Sequence, residues 1–250
     1  LLKSIADFAS KIAEREIDDE ALQRLVRVAH SDKEIRLYKH LLRMFSLGKL
    51  DSKAVFLLTQ IAVLPAEPLP IELILMTKEN EKDIYSVFLE DVEQKGWISF
   101  INYEEVQMHR LVQTVILKMT EPTYQDCSVL CEFIIETLHL DKVRASLINV
   151  QSKSVYAENL LENMSFQYKL DRKQMLQSNL GNFYIIAGNY NKGLVLLEKN
   201  LLSVEIFYGK EHRNYTISLN NLAFLYERVS MYDKALFLYE KVLQIQTQTV

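Results

Sequence analysis

Residues that make turns or cross-links are scarce in this chain, which has six glycines, four prolines and two cysteines among 250 residues. Because glycine and proline punctuate turn-rich β folds, their scarcity favours a fold made mostly of helices. Cys127 and Cys131 are too few for a disulfide framework, so we expect a reducing, cytoplasmic compartment. The five histidines fall in no zinc-ligand spacing, and no metal site is predicted.

The chain also lacks an excess of basic residues and an uninterrupted apolar run. Its formal net charge is -4 and its pI is near 5.8, whereas nucleic-acid binders usually show a basic face. The most apolar stretch, residues 54–76, is interrupted by Gln60, Pro65, Glu67, Pro68 and Pro70 and cannot form one membrane-spanning helix. Neither a nucleic acid nor a membrane is therefore a predicted partner.

A phosphate-binding loop of the Gly-x4-Gly-Lys-Ser/Thr type is missing. The Gly48-Lys49 and Gly209-Lys210 pairs lack both the preceding glycine and a following serine or threonine. No nucleophile and base stand in a recognisable local motif. We therefore expect that the chain as given is not an enzyme and does not hydrolyse ATP, and no catalytic residue is predicted.

Apolar residues at helical spacing run through the first half of the chain. Residues 1–48 predict two or three amphipathic helices. Within residues 49–120, helices are predicted at Lys53–Val63, Ile71–Met76, Glu81–Gln94 and His109–Met119. Two β-prone runs between residues 97 and 108 predict a hairpin, the only β structure expected. The order helix, helix, helix, hairpin is that of a winged-helix domain.

Acidic side chains dominate the third helix of this predicted domain. Residues 81–95 contain five acidic residues and two lysines. Contact with DNA phosphates needs the opposite sign of charge. A structural winged helix is therefore favoured over one that reads DNA.

The next segment, residues 121–168, is helical but poorly patterned, and we interpret it as a linker. Helices are predicted at Cys127–Leu138 and Ser154–Phe166. The chain starts without methionine in the middle of a helical pattern. We therefore expect it to be part of a longer protein.

An internal repeat occupies residues 169–250. An offset of 42 residues aligns Leu180 with Leu222. The other matched pairs are Asn179/Asn221, Tyr184/Tyr226, Tyr190/Tyr232, Lys192/Lys234, Leu194/Leu236, Leu201/Leu243, Gly181/Ala223 and Gly193/Ala235. Small residues let two helices approach closely, and neither hairpin can bury its apolar face alone. The repeat therefore predicts two stacked helical hairpins.

These residues resemble the signature of tetratricopeptide repeats, and the 42-residue period resembles their kinesin-light-chain type. The resemblance implies an α-helical array that binds a protein or peptide in a groove lined by the first helix of each hairpin. Two departures are the missing proline at the end of each hairpin and Asn200, which stands where a small apolar residue is usual. Since about three repeats are needed for independent stability, we expect further repeats in the parent protein.

The resemblance also implies residues that bind a partner. Asn179 and Asn221 stand at the position of the family's asparagine that hydrogen-bonds the backbone of a bound peptide. An amide suits this role because it both donates and accepts. Asn182 and Phe224 are expected on the same face one helical turn further, with Arg228 beyond. The alternative is that Asn179 and Asn221 only brace neighbouring helices.

The run Met-His-Arg-Leu-Val-Gln at residues 108–113 resembles a motif of the NB-ARC (STAND-type) signalling ATPases. In that family the motif lies in a winged-helix domain, and its histidine contacts the β-phosphate of bound ADP. The resemblance implies that residues 1–48 connect to a missing N-terminal ATPase domain. It also implies that the full-length parent binds ADP or ATP. His109 would contact this cofactor only when the missing ATPase domain is present. Arg110 stands where the plant-type motif has an aspartate, so the role of that aspartate does not carry over. The alternative for His109 is that it only caps its helix.

The predicted function is that of a regulatory and protein-interaction fragment of a STAND-type NTPase. Its winged helix would help to hold the nucleotide state, and its repeats would bind a partner. One alternative is a plain tetratricopeptide adaptor with a structural winged helix. A second alternative is a DNA-binding transcription regulator with a repeat-type sensor domain.

Overall fold

A computed structural model describes residues 50–76, 82–167 and 169–248. The helices predicted within residues 1–48 lie outside these ranges. The described residues are mostly helical, as predicted, and contain one small antiparallel sheet. In chain order the elements are α1 (Ser52–Ala62), β1 (Leu69–Pro70), α2 (Ile71–Leu75), α3 (Lys82–Gln94), β2 (Ser99–Phe100), β3 (Glu105–Gln107), α4 (Arg110–Thr120), α5 (Ser128–Thr137), α6 (Leu140–Ala145), α7 (Leu147–Asn163), α8 (Leu170–Ile186), α9 (Tyr190–Tyr208), α10 (Arg213–Arg228) and α11 (Tyr232–Gln248).

The described residues divide into two compact units. The first contains the residues up to Glu132 together with Glu162–Gln167. The second contains Phe133–Leu161 and the described residues from 169 onward. The segment that we interpreted as a linker, residues 121–168, thus contributes to both units.

Helix α1 provides the centre of the first unit. Its residues from Ala54 to Ala62 are all buried, and Asp51 caps its start by accepting a hydrogen bond from the Lys53 amide at 2.8 Å. The buried Gln60 amide donates to the carbonyl of Asp126 at 2.9 Å. A helix that is apolar on all sides belongs in a core. No helix within the described ranges is long and apolar enough to cross a membrane.

The hairpin predicted between residues 97 and 108 is present as β2 and β3. A third strand, β1, corrects the prediction that this hairpin is the only β structure. Strand β3 lies in the middle, with Val106 paired to Phe100 of β2 and to Leu69 of β1. An edge strand tolerates Pro70 because its outer side needs no ladder partner. A strand of two residues has no alternating pattern by which the sequence could reveal it.

Two helices within residues 133–163 also differ from the prediction. Helix α7 begins at Leu147 instead of Ser154 and ends before Phe166, and the short helix α6 was not predicted at all. The amphipathic pattern of α7 is weak because Ile148 is exposed while the polar Ser154 is buried. Burial by neighbouring helices therefore decides the bounds of α7 more than its own periodicity does.

The predicted repeat is present as two helical hairpins, α8–α9 and α10–α11. Within each hairpin the two helices pack along each other, and α10 packs on α9. The glycine of the first hairpin, Gly181, lies directly against Leu197. A Cβ added to Gly181 would come within 2.7 Å of a Leu197 methyl carbon and 2.9 Å of its Cγ. The missing side chain at this position is what allows the two helices to approach so closely.

We predict that Gly181→Ala lowers the free energy of unfolding by about 1 kcal/mol. Overpacking against the fully buried Leu197 costs about 1–3 kcal/mol, whereas the better helix propensity of alanine offsets at most about 1 kcal/mol. Urea unfolding followed by circular dichroism measures the change. In a Leu197→Ala background the same substitution should be neutral or stabilising, because the clash is gone. A Gly181→Ala chain that is more stable than the original would contradict the close packing.

Candidate functional site

The first helices of the two hairpins, α8 and α10, carry equivalent residues on one face. These residues, here called the first-helix face, follow one another at helical spacing. They are Met175, Asn179 and Asn182 of α8, and Ile217, Asn221, Phe224 and Arg228 of α10. The face includes all five residues that were predicted to bind a partner. Met175 and Ile217 are additions that the prediction missed.

The asparagines of this face are held by hydrogen bonds to neighbouring helices. The amide of Asn179 donates to the carbonyl of Ile135 in α5 at 2.8 Å. The amide of Asn221 donates to the hydroxyl of Ser178 in α8, and its carbonyl oxygen lies 3.5 Å from the amide nitrogen of Asn182. These contacts correspond to the bracing role that was the alternative for Asn179 and Asn221. Contact with a partner remains a prediction for both residues.

Exposure along the face differs strongly from one position to the next. Asn182 is only 7% exposed, so in this conformation it does not reach a partner. Its amide nitrogen instead lies near the side-chain carbonyl oxygen of Asn221. Phe224 is half-buried against the apolar cluster between the hairpins, and Arg228 is exposed. The largest apolar exposures on the face belong to Met175 at 43% and Ile217 at 44%.

Sequence reasoning could have found Met175 and Ile217. The offset of 42 residues that pairs Asn179 with Asn221 also pairs Met175 with Ile217. Both lie one helical turn before the predicted asparagines, on the same stripe. An apolar residue on a helix is usually assigned to the core, and only the structure shows that these two are exposed.

A buried amide joins three helices where the hairpins meet. Asn200 of α9 is 2% exposed, donates to the carbonyl of Gln174 in α8 at 2.9 Å and accepts from the hydroxyl of Ser218 in α10 at 2.7 Å. A buried polar side chain is stable only when it is paired in this way. These two hydrogen bonds explain why the first repeat has Asn200 at a position where a small apolar residue is usual.

A charged cluster links α7 to the first hairpin. Glu158 of α7 accepts from the hydroxyl of Tyr184 and, at 2.8 Å, from the ammonium of Lys192, which also lies 5.0 Å from the centre of the tyrosine ring. Burial and the hydrogen bond to Glu158 raise the pKa of Tyr184 to about 12. The second hairpin repeats the cation–π contact, with the ammonium of Lys234 5.2 Å from the ring centre of Tyr226.

His109 lies in the first unit, where it caps α4. Its Nδ1 accepts from the backbone N–H of Leu111 at 3.2 Å, and its side chain is exposed. An accepting Nδ1 places the proton of the neutral imidazole on Nε2. His212 caps α10 in the same manner, accepting from the N–H of Asn214 at 3.1 Å. The capping alternative for His109 is therefore present, and its contact with a nucleotide remains a prediction.

The two cysteines lie in the core of the first unit. Cys127 and Cys131 are both buried and reduced, and the amide of Gln60 donates to the sulfur of Cys127 at 3.4 Å. Burial raises the pKa of the Cys127 thiol far above its ordinary value, so the thiol stays protonated and is a poor nucleophile and metal ligand. Within the described ranges no three residues of the metal-binding types come together.

We predict that Asn200→Ala lowers the free energy of unfolding by about 1–3 kcal/mol, because it removes two buried hydrogen bonds, one to the Gln174 carbonyl and one from the Ser218 hydroxyl, which keeps only the Asn214 carbonyl at 3.0 Å. Thermal unfolding measures the loss. Ser203→Ala on the same helix is the control, since that hydroxyl bonds only to the Lys199 carbonyl at the surface. If Asn200→Ala stabilises the chain, the small residue that is usual in the family is the better one at this position. The hydrogen bonds of Asn200 then do not stabilise the fold.

The raised pKa of Tyr184 gives a second prediction. Its folded-state pKa of about 12 exceeds the ordinary value of 10.0, so its stabilisation is fully present below pH 10 and is lost as the pH rises towards 12. Tyr184→Phe should therefore make the free energy of unfolding less dependent on pH in this window. The difference in tyrosinate absorbance between the two proteins should titrate near pH 12. A difference curve centred near pH 10 would contradict the buried hydrogen bond.

Comparison with known proteins relates the two hairpins to a protein family. No curated protein and no solved structure matches the chain. A family model described as tetratricopeptide repeat matches residues 173–248, which span nearly all of α8 to α11. The two hairpins that carry the first-helix face are therefore similar in sequence to tetratricopeptide repeats.

Proposed function

We propose that this chain is a protein-interaction scaffold whose first-helix face binds an extended peptide segment of a partner protein. The observation that carries the proposal is the matched pair Met175 and Ile217, two exposed apolar side chains at equivalent positions of consecutive repeats. Exposed apolar residues that recur at a structural period mark an interaction surface more specifically than scattered ones.

The chemistry of the face suggests what the peptide contains. Met175 and Ile217 would contact an apolar side chain, because burying apolar surface is the main driving force of association. Arg228, exposed at the far end of α10, would pair with a carboxylate of the peptide. The asparagine amides hold α8 and α10 in place, which keeps the face rigid and lowers the entropic cost of binding. The predicted ligand is therefore a peptide with an apolar and an acidic residue.

A library of random peptides displayed on phage tests this proposal on the whole chain. Selected peptides should be rich in apolar and acidic residues. Binding of a selected, fluorescently labelled peptide should weaken by at least about tenfold in Met175→Glu with Ile217→Glu, since a buried carboxylate replaces each apolar contact.

The matched control is Val195→Glu, which changes a side chain of similar exposure on the second helix α9. This variant should bind the peptide as the original chain does, and all variants should keep their melting temperature within a few degrees. Equal weakening by Val195→Glu, or selected peptides without a common chemistry, would show that the first-helix face is not the binding site.

A second candidate function is the regulatory role in a STAND-type NTPase. Two observations support it: the order of helices and the three-stranded sheet in the first unit fits a winged helix, and His109 opens α4 directly after β3. With Nδ1 used for capping, the Nε2–H of His109 would donate to the β-phosphate of ADP bound by an ATPase domain in the parent protein. The chain itself is expected to show no ATP turnover.

In the full-length parent, His109→Ala should weaken ADP retention by roughly ten- to a hundred-fold, which corresponds to one charge-assisted hydrogen bond. His212→Ala is a matched control, because it removes the same kind of helix cap from α10. Both variants lose a cap, so both should lose comparable stability, but only His109→Ala should release ADP faster. Equal ADP retention in the two variants would leave His109 as a cap and favour the plain adaptor.

The remaining alternative, a regulator that binds DNA, is the least supported by charge. Helix α3 carries the acidic residues Asp83, Glu90, Asp91 and Glu93. Lys95, just after the helix, already pairs with Asp91 at 2.6 Å. A helix of this charge repels phosphates instead of attracting them.

A further inference from the structure

The accessible sulfur-containing side chains of the described residues are methionines. Cys127 and Cys131 are buried, and burial raises the pKa of the Cys127 thiol, which keeps this thiol protonated. Oxidation of a cysteine follows its thiolate character and its exposure, so these two residues are protected from it. Among the described methionines, only Met175 and Met231 are exposed, at 43% and 47%. They are therefore the sites at which an oxidant in solution reaches sulfur most easily.

The two exposed methionines differ in their position on the hairpins. Met175 belongs to the first-helix face, and the offset of 42 residues pairs it with Ile217. Met231 lies in the turn between α10 and α11 and is not part of that face. A chemical change at Met175 therefore alters the first-helix face, whereas the same change at Met231, which has a similar exposure, does not.

The sulfur of Met175 has a hydrogen-bond donor beside it. Nη1 of Arg172, three residues earlier on α8, donates to Sδ of Met175 at 3.4 Å. Nε of the same guanidinium lies 3.5 Å from the carboxylate of Asp171, so contacts on two sides orient the guanidinium. A thioether sulfur is a weak acceptor, whereas the oxygen of a sulfoxide is polar and accepts well. Addition of an oxygen atom to this sulfur would therefore strengthen its contact with Arg172.

We propose that Met175 is a reversible oxidation site, and that its conversion to the sulfoxide weakens peptide binding by the first-helix face. The inference rests on the proposed function, because it concerns the same face. Hydrogen peroxide transfers one oxygen atom to the sulfur: the O–O bond breaks, an S–O bond forms and water leaves. The sulfur is oxidised by two electrons, and the peroxide is reduced. A methionine sulfoxide reductase reverses the step, since two reductase thiols form a disulfide while the oxygen leaves as water.

The sulfoxide changes the chemistry of the face and leaves its fold intact. Reduced Met175 offers an apolar contact, whereas its sulfoxide is polar and hydrogen-bonds Arg172. An apolar side chain of the peptide would then cover two polar groups, which lose water without gaining a new partner. Ile217 is not oxidised by a peroxide and keeps its apolar contact, so binding is weakened but not abolished. Because Met175 is already partly in contact with water, the helix that carries it remains folded.

The test compares peptide binding by the whole chain before and after treatment with hydrogen peroxide. The probe is a fluorescently labelled peptide selected on the untreated chain. Mass spectrometry follows each sulfoxide, since Met175 and Met231 lie on tryptic fragments, residues 174–192 and 229–234, that contain no other methionine. When Met175 is fully converted, the Kd should rise by at least about fivefold. Methionine sulfoxide reductases with dithiothreitol should restore the original Kd, and the melting temperature should stay within a few degrees.

Two variants assign the effect to one sulfur atom. In Met231→Leu, peroxide should raise the Kd by the same factor as in the original chain, because this residue lies away from the first-helix face. In Met175→Leu, peroxide should leave the Kd at the value that this variant has before treatment, because leucine contains no sulfur. Each variant is compared with itself before and after treatment. A change in affinity caused by the leucine alone therefore does not affect the comparison.

Two results would overturn the inference while leaving the proposed function intact. One is an unchanged Kd of the original chain although Met175 is fully converted to the sulfoxide. The other is an equal rise of the Kd in Met175→Leu, which would place the sensitive residue elsewhere. An untreated chain that binds no selected peptide is a different result, because it would overturn the proposed function and this inference with it.

Discussion

The contact on which the second unit depends is the stacking of α10 on the apolar stripe of α9. Each hairpin has an apolar face on its second helix that its own first helix cannot cover, so burial comes from the next hairpin. Leu197, Leu222 and Leu225 form the centre of this contact, and all three are buried. Gly193 of α9 has no side chain where Leu225 of α10 packs on it, and Gly181 likewise lets α8 approach Leu197 of α9 within the first hairpin.

Directional polar contacts fix how the stacked helices are aligned. Apolar burial alone tolerates small shifts of one helix along another, whereas a buried amide must find its partners. Asn200 joins α8, α9 and α10, and the amide of Asn221 joins α10 to α8. Glu158 ties α7 to the first hairpin through Tyr184. These polar groups replace part of the apolar packing that a more regular repeat would use.

This use of amides changes where partner binding is expected. Residues that resemble ligand-binding asparagines are engaged with Ile135 and Ser178, so the accessible chemistry of the first-helix face is apolar and cationic. A rigid face of this kind suits the capture of an extended segment. In the proposed function, binding depends on exposed side chains that the bracing asparagines hold in position.

Sequence periodicity by itself determined that the chain is mostly helical, that α8 to α11 form two equivalent hairpins, and which residues correspond at an offset of 42. These follow from local spacing, because 3.6 residues per turn place apolar side chains on one face whatever lies opposite. Tertiary structure alone decided that Leu69 and Pro70 form an edge strand, that α7 starts at Leu147, and that Asn182 is buried while Met175 is exposed. A helical pattern shows which residues share a face, but burial and hydrogen bonding depend on which neighbouring element covers that face.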